Sequence, residues 1–127
     1  PTSSLVLQPG TYGLSNHLLD TPWPKIKSGK NALNNKLSGK TDFSIEQLFE
    51  ILRDETQPED ENLPETGVGL EWERMLAPIF IKSQTYGTRS STILLIDQSN
   101  NVTFVERTYN QSDQSLTKDR IFELNMS

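Results

Sequence analysis

Apolar and polar positions follow two different periods along this chain, and the change between them divides it. In the first half Trp23, Ile26, Leu33 and Leu37 recur near multiples of 3.6, which predicts an amphipathic helix to about residue 37, weakened by Gly29. Asp20 or Thr21 is the expected cap, with Pro22 and Pro24 tolerated in the first turn because their missing N–H is no loss there. Ile45, Leu48, Phe49 and Leu52 form a second stripe at i, i+3, i+4 and i+7. Ser44 and Gln47 before it have the spacing of a capping box, in which each side chain takes up an orphan N–H. Two helices are therefore expected within about residues 22–53.

Residues 54–69 are dominated by Pro, Glu, Asp and Gly and predict a mobile acidic loop. Beyond it the period falls to that of strands. Ile79-Phe80-Ile81, Thr92-Ile93-Leu94-Leu95-Ile96, Val102-Thr103-Phe104-Val105 and Ile121-Phe122-Glu123-Leu124 are rich in β-branched and aromatic residues. Asp97-Gln98-Ser99-Asn100-Asn101 supplies turn formers for a hairpin. The apolar run at 93–96 implies burial on both faces, with a layer covering each side of the sheet. Near the start, Leu5-Val6-Leu7 reads as a short strand entering a Pro9-Gly10 turn, and residues 11–16 as a second extended segment. Helices followed by antiparallel strands at about 79–126 give an α+β fold with helices layered on the sheet, in a single domain segment.

Composition narrows the function classes. A net charge of −5 argues against a nucleic-acid partner, which needs a concentrated basic surface. The charge is uneven: Lys25, Lys27, Lys30, Lys36 and Lys40 occur with no acid among them, whereas residues 54–73 hold eight acids and no base. No apolar run approaches the roughly 20 residues of a membrane helix, so no membrane span is expected. The absence of cysteine removes thiolate chemistry from this segment and fits a reducing, cytoplasmic setting.

Four segments occur in one order: Gly10-Thr11-Tyr12-Gly13-Leu14-Ser15-Asn16, Leu19-Asp20-Thr21-Pro22-Trp23-Pro24-Lys25, Tyr86-Gly87-Thr88-Arg89-Ser90-Ser91-Thr92-Ile93 and Val102-Thr103-Phe104-Val105-Glu106-Arg107. This series resembles the C-terminal half of the NRDE family, also called the transport and Golgi organisation 2 family, from residue 10 to the end. The resemblance implies a missing N-terminal half holding the Asn-Arg-Asp-Glu motif and a Cys, neither of which is in these residues. It also implies a fold like the N-terminal nucleophile hydrolases, an αββα sandwich to which this chain contributes one helical layer and several strands. Haem and coenzyme A thioesters are the ligands implied, in a family whose biochemical role is unsettled.

Candidate residues follow from both readings. Asn16 ends an extended segment beside Ser15 and His17, where an amide could donate to an oxyanion or line a pocket; the competing role is a turn cap. In the hydrolases the family resembles, an Asn in a comparable place lines the active site. Arg89, just before the most apolar strand, could bind a carboxylate or phosphate of a ligand or fix a strand end by pairing with an acid. His17 could be a catalyst or haem ligand, but it lacks a placed partner and reads sooner as a surface or packing residue. The lysines from Lys25 to Lys40 could attract an acidic ligand such as the phosphates of coenzyme A, against the favoured reading of a solvated helix face. Pro1 could act as an N-terminal base, but the resemblance sets a family segment upstream of it. Adjacent Glu106 and Arg107 must point to opposite faces of a strand, which favours a structural ion pair with some third group. Three functions compete: a ligand-binding or carrier half-domain, half of a hydrolase whose Cys nucleophile lies upstream, and a structural half with no site of its own.

Overall fold

The computed structural model describes residues 3–39 and 42–127; Pro1 and the last lysine of the basic block, Lys40, lie outside them. Helix α1 spans Pro24–Leu37 and helix α2 spans Ile45–Leu52. A 3-10 turn at Asp60–Asn62 interrupts the acidic loop, and a third helix, α3, covers Leu70–Leu76. Strands β1 (Ser90–Ile96), β2 (Asn101–Tyr109) and β3 (Thr117–Asn125) form an antiparallel meander in the order β1-β2-β3. The α+β class, the two main helices and the last three strands are those the sequence predicts.

The capping box on α2 forms as its spacing requires: the Gln47 N–H donates to Ser44 Oγ at 3.2 Å and the Ser44 N–H donates to Gln47 Oε1 at 3.0 Å. The stripe on α2 then packs against the sheet. Leu48 and Phe49 meet Ile93 and Val105 in the core, with Leu33 of α1 against the same cluster. Phe49 is 1% exposed, and burying such a side chain contributes about 2–3 kcal/mol. Arg107 closes this layer from the strand side. Its guanidinium lies 4.1 Å from the centre of the Phe49 ring, donates to Asp119 of β3 at 2.8 Å and bonds Glu46 of α2. The structural ion pair expected of residues 106–107 is thus made by Arg107, while Glu106 stands on the other face in register with Arg120.

Four expectations are corrected. Leu5, Val6 and Leu7 form no strand and are exposed, because no neighbouring backbone pairs with them; residues 11–16 likewise join no sheet. Helix α1 starts at Pro24 with Trp23 as N-cap and no side-chain cap bond. Asp20 instead adopts a positive φ of 57°, and its Oδ1 accepts the Gly13 N–H at 2.7 Å while its own N–H donates back to the Gly13 carbonyl at 2.8 Å. Ile79-Phe80-Ile81 is irregular rather than a strand. The Phe80 N–H donates to the Asp54 carbonyl and the Ile81 N–H to Thr88 Oγ1, so its donors are spent on loops, and Phe80 is fully buried against the edge of Tyr109.

The fourth correction concerns the sheet. Ser91, Ile93 and Leu95 face the helices, but Leu94 and Ile96 point the other way and are 57% and 56% exposed. Register puts Leu94, Phe104 and Phe122 in one row on this outer face and Ile96, Val102 and Leu124 in the next. Val102, between Ile96 and Leu124, is buried and Phe104 partly so, but among the described residues no helix packs as a layer on these rows. The alternation of a strand sends every second residue of an unbroken apolar run to that face, so the run at 93–96 does not meet two covering layers within this chain.

Candidate functional site

The segment at residues 12–15 crosses α1 closely, and Gly13 is what allows it: a Cβ there would meet Ile26 Cγ2 at 2.8 Å. The Asp20 latch holds the crossing. Lys30 on α1 pairs with the same carboxylate at 3.0 Å, and the Gly13 N–H, followed by Lys30, holds the Asp20 carboxyl below its ordinary pKa.

This crossing makes one wall of a groove of about 560 Å³. Its floor and sides come from α1, α2 and β1 through Ile26, Leu33, Leu48, Leu52 and Ile93, and Leu14 and Leu37 stand at its rim. The groove is bordered by β1, among the described residues an edge strand whose alternate N–H and C=O groups face away from β2. A second cavity of about 300 Å³ lies between the crossing segment, the start of α1 and α3, bounded by Asn16, Trp23, Thr66 and Glu73. Glu73 is buried there, its Oε1 accepting both the N–H and the Oγ1 of Thr66 at 2.6 and 2.5 Å.

Lys25 borders the groove and the second cavity, and a third cavity of about 80 Å³ beside Asp54. Its Nζ donates to the Leu76 carbonyl at the end of α3 at 2.7 Å. No carboxylate among the described residues lies within ion-pairing distance of it. Burial lowers its pKa, since a half-desolvated ammonium loses hydration that a single carbonyl does not replace. An ammonium in this setting retains donors for an anion.

Asn16 is exposed at the second cavity's mouth. Arg89 is also exposed, borders neither that cavity nor the groove, and uses its backbone carbonyl to accept the Tyr109 N–H at 2.8 Å. The structure does not bring these two residues to a common cavity. His17 bonds Thr21 Oγ1 at 2.8 Å and packs on Trp23, in keeping with a packing role. Of the described lysines in the basic block only part is a solvated face, because Lys25 turns inward and Lys30 is paired. Sequence reading includes Lys25 in a lysine block that could attract an acidic ligand without singling it out, and does not find Glu73. The available signal was that Lys25 directly precedes Ile26, the buried residue of α1, at the border of the apolar stripe.

Among the described residues no helix is long and apolar enough to cross a membrane. Residues 1–111 match the family model described as Transport and Golgi organisation 2. The chain is 34% identical to the Transport and Golgi organization 2 homolog of Mus musculus, over 96% of this chain and 47% of that protein. It is also 34% identical to the Transport and Golgi organization protein 2 homolog of Homo sapiens with the same coverage. With the Transport and Golgi organization protein 2 of Drosophila melanogaster it shares 29% identity over 76% of this chain and 36% of that one. The chain spans about half the length of the mouse and human relatives. The order of segments from Gly10 through Arg107 and these matches agree, and the chain belongs to the Transport and Golgi organisation 2 family.

Proposed function

We propose that this chain is the ligand-holding half of a carrier for an amphipathic acid, haem or an acyl-coenzyme A, acting in the cytoplasm. The observation that carries the reading is the apolar groove between α1, α2 and the free edge of β1, with lysines along α1 at its side. Apolar walls with a few placed polar groups are the common form of small-molecule sites. His17, the only imidazole, does not border the groove, which favours an acyl chain over haem held by an axial histidine.

A missing N-terminal half completes the pocket in this proposal and covers the outer face of the sheet. The two apolar rows of that face, and relatives about twice as long as this chain, support it. A second sheet on that face, with helices beyond, would give the αββα arrangement of the N-terminal nucleophile hydrolases. In the hydrolase alternative the upstream Cys attacks and Asn16 lines the active site, a reading supported by the place of Asn16 at the mouth of the second cavity.

Titration of the full-length protein with palmitoyl-coenzyme A and with haem tests the carrier reading. Substituting the rim residues, Leu14→Asp with Leu37→Gln, is expected to weaken the acyl ligand about tenfold or more through lost apolar contact. Absence of saturable binding, or binding indifferent to both substitutions, would sink it. Thioester turnover that falls with Asn16→Ala would instead favour the hydrolase.

A further inference from the structure

We propose that Lys25 is the anchor for the acidic head of the ligand, receiving a carboxylate or phosphate at the junction of the groove and the Asn16 cavity. The inference rests on the carrier reading and adds to it the residue and the chemistry of recognition. Three observations carry it. Lys25 borders both spaces, and its Nζ reaches the Leu76 carbonyl that also borders the second, so an apolar body in the groove and a polar head beside Asn16 would meet at this side chain. Its only partner among the described residues is the Leu76 carbonyl, which leaves two of three ammonium donors for an anion. No carboxylate of the protein competes within ion-pairing distance among the described residues.

The charged groups around it are Glu73, Asp54 and Lys30, of which Glu73, in the same cavity, is the one that disfavours an anion. Glu73 shares the second cavity but its Oε1 is engaged by Thr66, Asp54 borders the small third cavity, and Lys30, across the groove, is paired with Asp20. Other lysines on α1 lack these conditions: Lys27 is exposed and borders neither space. An anion also restores the solvation that burial takes from the Lys25 ammonium, whose pKa is lowered for that reason.

The test uses full-length protein with two probes of equal chain length, dodecanoate and 1-dodecanol, and a third, dodecyl phosphate, to separate carboxylate from phosphate recognition. Wild type is expected to hold the anions about tenfold or more tighter than the alcohol, the usual scale of a charged hydrogen bond. Lys25→Met should remove that preference while leaving alcohol binding, and Lys25→Arg should keep most of it. If Lys25→Met does not fold, the wild-type pH profile decides. Anion affinity must fall as pH rises through the lowered lysine pKa, with alcohol affinity flat. Equal binding of acid and alcohol by wild type, or a preference that survives Lys25→Met, overturns the anchor and leaves the carrier reading standing. Failure of all three probes to bind overturns both.

Discussion

On the inner face of the sheet Ile93 and Val105 are buried beneath Leu48 and Phe49, with Ile121 of the edge strand β3 left 61% exposed, whereas on the outer face Val102 is buried but Leu94, Phe122 and Leu124 stand more than half exposed. The same three strands supply both faces, so β propensity is not the difference. What differs is cover. The inner face has α2, positioned by its capping box and by Arg107, while the outer face carries aromatic and aliphatic rows of the kind that mark an interface when they are contiguous. The inner face therefore holds this chain together, and the outer face is the surface on which the proposed other half would sit.

Removing the centre of the inner face should have the largest effect. Phe49→Ala is expected to cost about 3–5 kcal/mol, read from the shift in the denaturant midpoint, because a cavity replaces a fully buried ring. A loss under about 1 kcal/mol would show that α2 and the sheet do not form the core.

Arg107→Met comes next, at about 2 kcal/mol, since charged hydrogen bonds and the stacking on Phe49 are lost together. Its pH dependence has a definite sign. Arg107 holds the Asp119 and Glu46 carboxyls below their ordinary values of 3.8 and 4.5, so their contribution is fully present above those values. It is lost as pH falls through the lowered folded values. Wild type should therefore lose stability on acidification below about pH 4, and the Arg107→Met variant should lose less over the same range. Parallel acid limbs for the two proteins would remove Arg107 as the cause.

The smallest effect separates the two faces most directly. Phe122→Ser should change the stability of this chain alone by no more than about 1 kcal/mol, since the exposed ring loses only its edge contact with Phe104. In the full-length protein the same substitution should cost roughly 2 kcal/mol or more, as burial of an aromatic side chain implies. Equal small shifts in both would mean that nothing covers the outer face.

The elements legible in the sequence are those with a dense local signal: the stripe of α2 with its Ser44–Gln47 box, and the β-branched and aromatic runs of the strands with Asp97 and Asn101 at the hairpin. Helix α3 was hidden because Leu70-Glu71-Trp72-Glu73 alternates like a strand, follows two glycines and is only seven residues long. Ile79-Phe80-Ile81 misled in the opposite sense, since a buried irregular segment and a buried strand share one composition. Asn16 could be placed near a cavity from its position after an extended segment. Lys25 could not be told from its neighbours, because its distinction is the tertiary approach of α3, which brings the Leu76 carbonyl across 51 residues.

The crossing at Gly13 sets a rule for mutational tolerance. Any side chain there must displace Ile26, the buried residue of α1, or lift residues 12–15 away from it and open the wall of the groove. The exposed arm at Leu5, Val6 and Leu7 makes no such demand on this chain. A saturation library should thus find one permissive stretch and, six residues beyond Leu7, a position where glycine is strongly preferred and larger residues are depleted.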